Sequence, residues 1–113
     1  MCTASQLKNI TRQINREAQI ILKNKFKKAL LYGSYARGDN NNDSDIDIMI
    51  LADIPADETW KARVKFDDII NKLDLEHDVL ISLIVKDNET FYKWLDVMPF
   101  YQNVLKDGVE LSA

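Results

Sequence analysis

Cysteine, proline and glycine are scarce in this chain, and each scarcity excludes something. Among the 113 residues there is one cysteine, Cys2, so no disulfide can form within the chain. That suits a reducing compartment. Only three glycines and two prolines interrupt the chain, so breaks are few and each is informative. Long apolar runs are also missing. The longest, from Ile48 to Ala52, falls far short of the ~20 residues that a membrane helix needs. The N-terminus lacks the apolar core of a signal peptide, and a cytoplasmic protein with no membrane association is expected. Positive charge is not in excess either. With 15 Lys and Arg against 18 Asp and Glu, the formal net charge is -3. A long nucleic acid calls for a basic surface, so no nucleic-acid partner is expected. No internal repeat, low-complexity tract or linker divides the chain, and residues 1–113 read as one domain.

What is present is the balance of an ordinary globular protein: 46% hydrophobic and 29% charged residues. One local basic cluster, Lys23, Lys25, Lys27 and Lys28, reads as a solvated helix end and strand entry. Its functional alternative is a local attraction for phosphate or an acidic partner. Residues 4–23 carry an amphipathic stripe of Leu7, Ile10, Ile14, Ala18, Ile21 and Leu22. Thr3 with Gln6 forms a candidate capping box before it. Residues 28–32 read as a buried strand ending at Gly33. A polar loop from Arg37 to Ser44, with three successive asparagines, leads into an alternating strand. In that strand Ile46, Ile48 and Ile50 face one way, and Asp45, Asp47, Met49 and Leu51 the other. Pro55 closes the strand region. Asp57 is placed as the cap of a helix from about Glu58 to Leu73, and residues 77–85 as a buried strand. Two short helices, near 88–95 and 99–106, complete the chain, with Gly108 as a stop. The fold class is α/β (α+β), a small mixed sheet flanked by helices.

The stretch from Gly33 to Ile50, GSYARGDNNNDSDIDIMI, carries the chemistry. Asp45 and Asp47 lie two apart on a strand, so both emerge on one face, ~6.5–7 Å apart at the backbone. Held that close, two carboxylates repel each other, and a shared cation removes the repulsion. Oxygen ligands beside a phosphate favour Mg²⁺. Gly33 allows close backbone approach to a ligand. Ser34 adds a hydroxyl and an N–H, and Arg37 adds a charged donor to the same phosphate. A P-loop fails because Asp39 and Asn40, not Lys and Ser or Thr, follow Gly38. An EF-hand begun at Asp39 fails because Ser44 and Ile50 stand where Gly and Glu are required. Solvated residues of an Asx-rich turn would explain any one of these side chains, but poorly explain the whole constellation.

Gly33-Ser34, ten residues, then Asp45-Ile46-Asp47 resembles the signature of the DNA polymerase β-like nucleotidyltransferases. The fuller form, GSYARGD with SDIDI, is most similar to the minimal nucleotidyltransferases (MNT proteins), often antitoxins paired with HEPN toxins. The resemblance implies the nucleotidyltransferase fold and transfer of a nucleoside monophosphate, AMP from ATP, to a hydroxyl. It implies Asp45, Asp47 and Asp78 as catalytic metal ligands for two Mg²⁺ ions. Asp78 is taken as the third carboxylate, on a strand face shared with Leu80, Ser82 and Ile84. Gly33, Ser34, Arg37 and Ser44 are the implied nucleotide-binding residues. The implied partner is a HEPN toxin silenced by modification, with the aromatic tail as docking surface. Two alternatives stand beside it: a catalytically silent module that neutralises a partner by contact, and a small-molecule nucleotidyltransferase needing a helper subunit.

Overall fold

The computed structural model describes residues 2–111. Helix α1 spans Ala4–Leu22 and opens on the expected capping box. The Gln6 N–H donates to the Thr3 hydroxyl at 3.1 Å, and the Thr3 N–H donates to Gln6 Oε1 at 2.9 Å. Ile10, Ile14, Ala18 and Leu22 form its buried stripe. Each large aliphatic side chain so buried contributes about 1.5–3 kcal/mol.

Strand β1 (Phe26–Tyr32) leads directly into the short helix α2 (Gly33–Arg37), and a loop returns the chain to β2 (Ile46–Ala52). β1 and β2 are antiparallel. Strand β3 (Ile81–Asp87) joins β2 in parallel, and the two-residue β4 (Val109–Glu110) pairs with Leu30 and Leu31 of β1. The sheet is mixed, in the order β3-β2-β1-β4. Its two faces follow the alternation of the sequence. Ile46, Ile48 and Ile50, with Ile81, Leu83 and Val85, pack against α1 and the helices of the β2–β3 crossover. Met49 and Leu51, with Leu30 and Tyr32, pack against Phe91 and Val104 of the C-terminal helices. A slip of one residue in β2 would exchange these sets, so the apolar pattern fixes the register.

Three expectations are corrected. The helix read over 58–73 is two: α3 (Thr59–Val64) and α4 (Asp67–His77). Between them the N–H groups of Lys65 and Phe66 donate three residues back, to Ala62 and Arg63. This tighter turn redirects the chain while Phe66 stays buried. Asp57 lies in a 3₁₀ turn, Ala56–Glu58, and does not cap α3, whose N-cap is Glu58. The strand placed over 77–85 begins only at Ile81, because α4 runs through His77 and closes on Asp78 in a left-handed conformation, φ 50° and ψ 54°. The Asp78 N–H and the Val79 N–H both donate to the Asp74 carbonyl. Asp tolerates this conformation better than most side chains, so the helix stops without a glycine. The tail holds two helices as read, α5 (Asn88–Lys93) and α6 (Pro99–Asp107). β4 was not anticipated. None of the described helices is long and apolar enough to cross a membrane.

Candidate active site

The turn from β1 into α2 and the start of β2 meet at one end of the sheet. Gly33 sits at φ 73°, in the region that favours glycine. A Cβ there would collide with Asp47 Oδ2, so the carboxylate of Asp47 fills the space that a side chain at 33 would need. Gly33 is therefore fixed twice, by its backbone angle and by the acid lying against it. Asp45 directly precedes β2 and Asp47 is its second residue. Both are half-buried. In α2 no side chain caps the first turn, so its N–H groups are not taken up by a side-chain cap. Ser34 is half-buried, and its carbonyl accepts from the N–H groups of Gly38 (2.9 Å) and Asp39 (3.1 Å), which closes the turn.

Arg37 leaves α2 toward two carboxylates. Its Nε donates to Asp39 Oδ2 and its Nη1 to Asp107 Oδ2, both at 3.1 Å. The second contact ties the site to the end of α6, and nothing in the sequence flags a pairing across 70 residues. Ser44 is used locally. Its hydroxyl accepts from the Asn41 N–H at 2.9 Å, while Asn41 Oδ1 accepts from the Asp43 N–H at 2.8 Å. The loop thus delivers Asp45 from a hydrogen-bonded turn. Ser44, Asp45 and Asp78 line one hollow with Tyr35, Val79 and Leu80. Asp78 reaches this hollow from the exposed C-cap of α4, not from a strand face. Among the described residues, no three His, Cys, Asp or Glu side chains gather as a ready metal cluster. The structure therefore unites Gly33, Asp45 and Asp47, and leaves Asp78 on the rim.

The profile of the nucleotidyltransferase domain family matches residues 7–107. The chain belongs to this family. It is 40% identical over 84 residues to a Methanocaldococcus jannaschii protein named "Putative protein adenylyltransferase MJ0604", a match covering 74% of this chain and 76% of that protein. Two solved structures share its fold. One is a toxin–antitoxin with AMP-PNP (TM-score 0.53, 23% identity, 93% of this chain and 73% of that one). The other is a tri-AMPylated Shewanella oneidensis HEPN toxin in complex with an MNT antitoxin (TM-score 0.50, 20% identity, 93% and 71%). The chain is a nucleotidyltransferase domain with the small mixed sheet that the motif implied.

Within this nucleotidyltransferase the electrostatics centre on Asp47. Burial, and after it the charge of Asp45, push its carboxyl above the ordinary range, while Arg37 pulls the other way. Tyr32, its neighbour in register on β1, is pushed up to about 12 by burial and then by the Asp47 charge. The tyrosine hydroxyl thus stays protonated at neutral pH. Two half-buried carboxylates on one strand face, one of them held in its costlier charged form by burial and by its neighbour, fit a hard divalent cation whose charge would offset it. Tyr32 and Asp107 escaped the sequence reading. Tyr32 stood next to the motif but looked like plain core, and Asp107 carried no signal at all.

Proposed function

We propose that this nucleotidyltransferase domain uses Mg²⁺ and ATP to transfer AMP to a hydroxyl of a partner protein, a HEPN-type toxin, and so acts as its antitoxin. The observation that carries the reading is the seat of Asp47 on the glycine of a Gly-Ser turn, with Asp45 beside it. That arrangement brings two acids and a Gly-Ser turn to one point, which supports a metal held beside a phosphate.

Asp45 and Asp47 would hold the metal, whose charge would neutralise that of the triphosphate and the leaving group. Gly33 and Ser34 would receive the outer phosphates through backbone N–H groups. Arg37, which bonds Asp39 through Nε and Asp107 through Nη1, would add a charged donor. In the reaction the acceptor oxygen bonds to the α-phosphorus. The bond from that phosphorus to the bridging oxygen breaks, and pyrophosphate leaves with its electron pair. Asp78, on the rim of the hollow that Asp45 also lines, would take the hydroxyl proton. Catalysis of this kind rests mainly on positioning and charge neutralisation.

The acceptor is proposed as a protein because the C-terminal segment offers a surface for one. Tyr92, Trp94, Val97, Met98 and Phe100 are exposed within nine residues. Phe100 stands edge-on to Tyr32, ring centroids 5.9 Å apart, so this surface continues into the site. The same surface supports the second reading, neutralisation by contact alone. The two separate in one experiment. Cells carrying the partner would be protected by the wild-type chain and lost with the Asp45→Asn/Asp47→Asn variant, if transfer is the function. Full protection by a variant that folds normally and still binds the partner would replace transfer with contact.

A further inference from the structure

The sheet register places a residue in the site that the motif does not contain. β2 and β3 run parallel with Asp47 opposite Ser82, and β1 places Tyr32 opposite Asp47 from the other side. Residues paired in this way share a face of the sheet, and neighbouring strands lie about 4.8 Å apart. Tyr32, Asp47 and Ser82 therefore form one row across three strands. Ser82 is half-buried, and its hydroxyl makes no hydrogen bond to any described residue. The face it occupies is not sealed by α6, since Ile84, next along β3 on that face, is 37% exposed. Asp78 does not compete for the place. It lies three residues before β3 and is turned away from strand geometry by its left-handed backbone.

We propose that Ser82 is the neutral third member of this cation site. Its neutral oxygen holds the position beside Asp47 where a third carboxylate would have to stand. This rests on the reading of Asp45 and Asp47 as the cation site. The consequence is a site with two negative charges rather than three. Such a site binds a divalent cation weakly by itself and depends on the phosphates of the nucleotide for the remaining charge. Ligand charge count is a main lever on the affinity of oxygen sites for hard cations.

The test is a titration of the purified, nucleotide-free chain with Mn²⁺, followed by electron paramagnetic resonance of the free ion. Ser82→Asp should tighten Mn²⁺ binding by about tenfold or more, because it adds a third charge. Ser82→Asn, of similar bulk and no charge, should stay within about twofold of wild type, as should Asp78→Asn, which lies outside the row. The added acid crowds Asp47 and lowers the melting point of Ser82→Asp without metal; thermal melts with and without Mn²⁺ read the same effect, since an ion bound only by the folded state raises its stability. Unchanged affinity and an unchanged Mn²⁺-induced melting shift in Ser82→Asp would overturn the proposal. So would a tenfold loss on Asp78→Asn. If Asp45→Asn/Asp47→Asn binds Mn²⁺ as wild type does, the cation site itself is misassigned, and the fault lies with the reading beneath.

Discussion

Gly33 shows how little freedom the site allows at the level of single residues. Its φ of 73° and the Asp47 carboxylate against its α-carbon leave no room for a methyl group. Gly33→Ala should cost about 1–2 kcal/mol from the left-handed backbone alone. It should also displace Asp47 and lower transfer by about 100-fold, as a misplacement of about 1 Å does. A urea melt and a steady-state assay on the same preparation check both parts. Retained transfer would show that Asp47 does not act from its observed seat. Much of this was legible in the sequence, because glycine, serine and alternate aspartates reveal themselves by type and spacing. Ser82 was not, because a serine in a strand means nothing until the pairing with Asp47 is known.

At the level of elements, the periodic segments were the readable ones. The stripe of α1 and the alternation of β2 predict their own boundaries and faces to within a residue or two. The failures fall where the backbone turns without glycine. Asp78 ends α4 in a left-handed conformation, and the crossover helix breaks at Lys65 and Phe66 with no breaker in its sequence. β4 was invisible because two residues carry no period. Asp87 illustrates what a junction contributes. It ends β3 and caps α5, and Oδ2 accepts from the Thr90 N–H at 2.9 Å. Burial pushes its carboxyl up, but the hydrogen bonds from Thr90 and the charge of Lys86 outweigh that and hold it below the ordinary carboxylate range. A group held low when folded stabilises the fold above its unfolded value. The contribution fades as pH falls through the carboxylate range toward the lower folded value. Asp87→Ala should therefore cost about 1 kcal/mol at neutral pH. The difference from wild type should shrink in melts at progressively lower pH, below about 4. A cost that stays constant with pH would assign the effect to packing rather than to charge.

On the scale of the whole molecule, the sheet joins an acidic site, where β1 ends and β2 begins, to an apolar surface on the last two helices. Tyr32 and Phe100 form one link between them, and Arg37 with Asp107 the other. The ion pair is open to solvent at Arg37 and contributes little to stability, so its value is geometric. Trp94 lies on the open part of this surface, 47% exposed. Trp94→Ala should leave the melting temperature nearly unchanged. It should weaken partner binding by more than about tenfold if the tail is the docking surface. Equal affinity of wild type and variant in a pull-down titration would move the partner elsewhere.

Nucleotidyl transfer through Asp45 and Asp47 can be read in a single labelling experiment. Wild type and Asp47→Asn are incubated with Mg²⁺ and ATP labelled at either the α- or the γ-phosphate, in extract containing the partner. Proteins are then separated on a denaturing gel. A labelled protein band is expected with wild type and α-label alone. With γ-label no band that depends on the wild-type chain appears, because that phosphate leaves in pyrophosphate, and Asp47→Asn adds no band with either label. A wild-type-dependent band from γ-label, or an α-label band of equal strength with Asp47→Asn, would contradict such transfer.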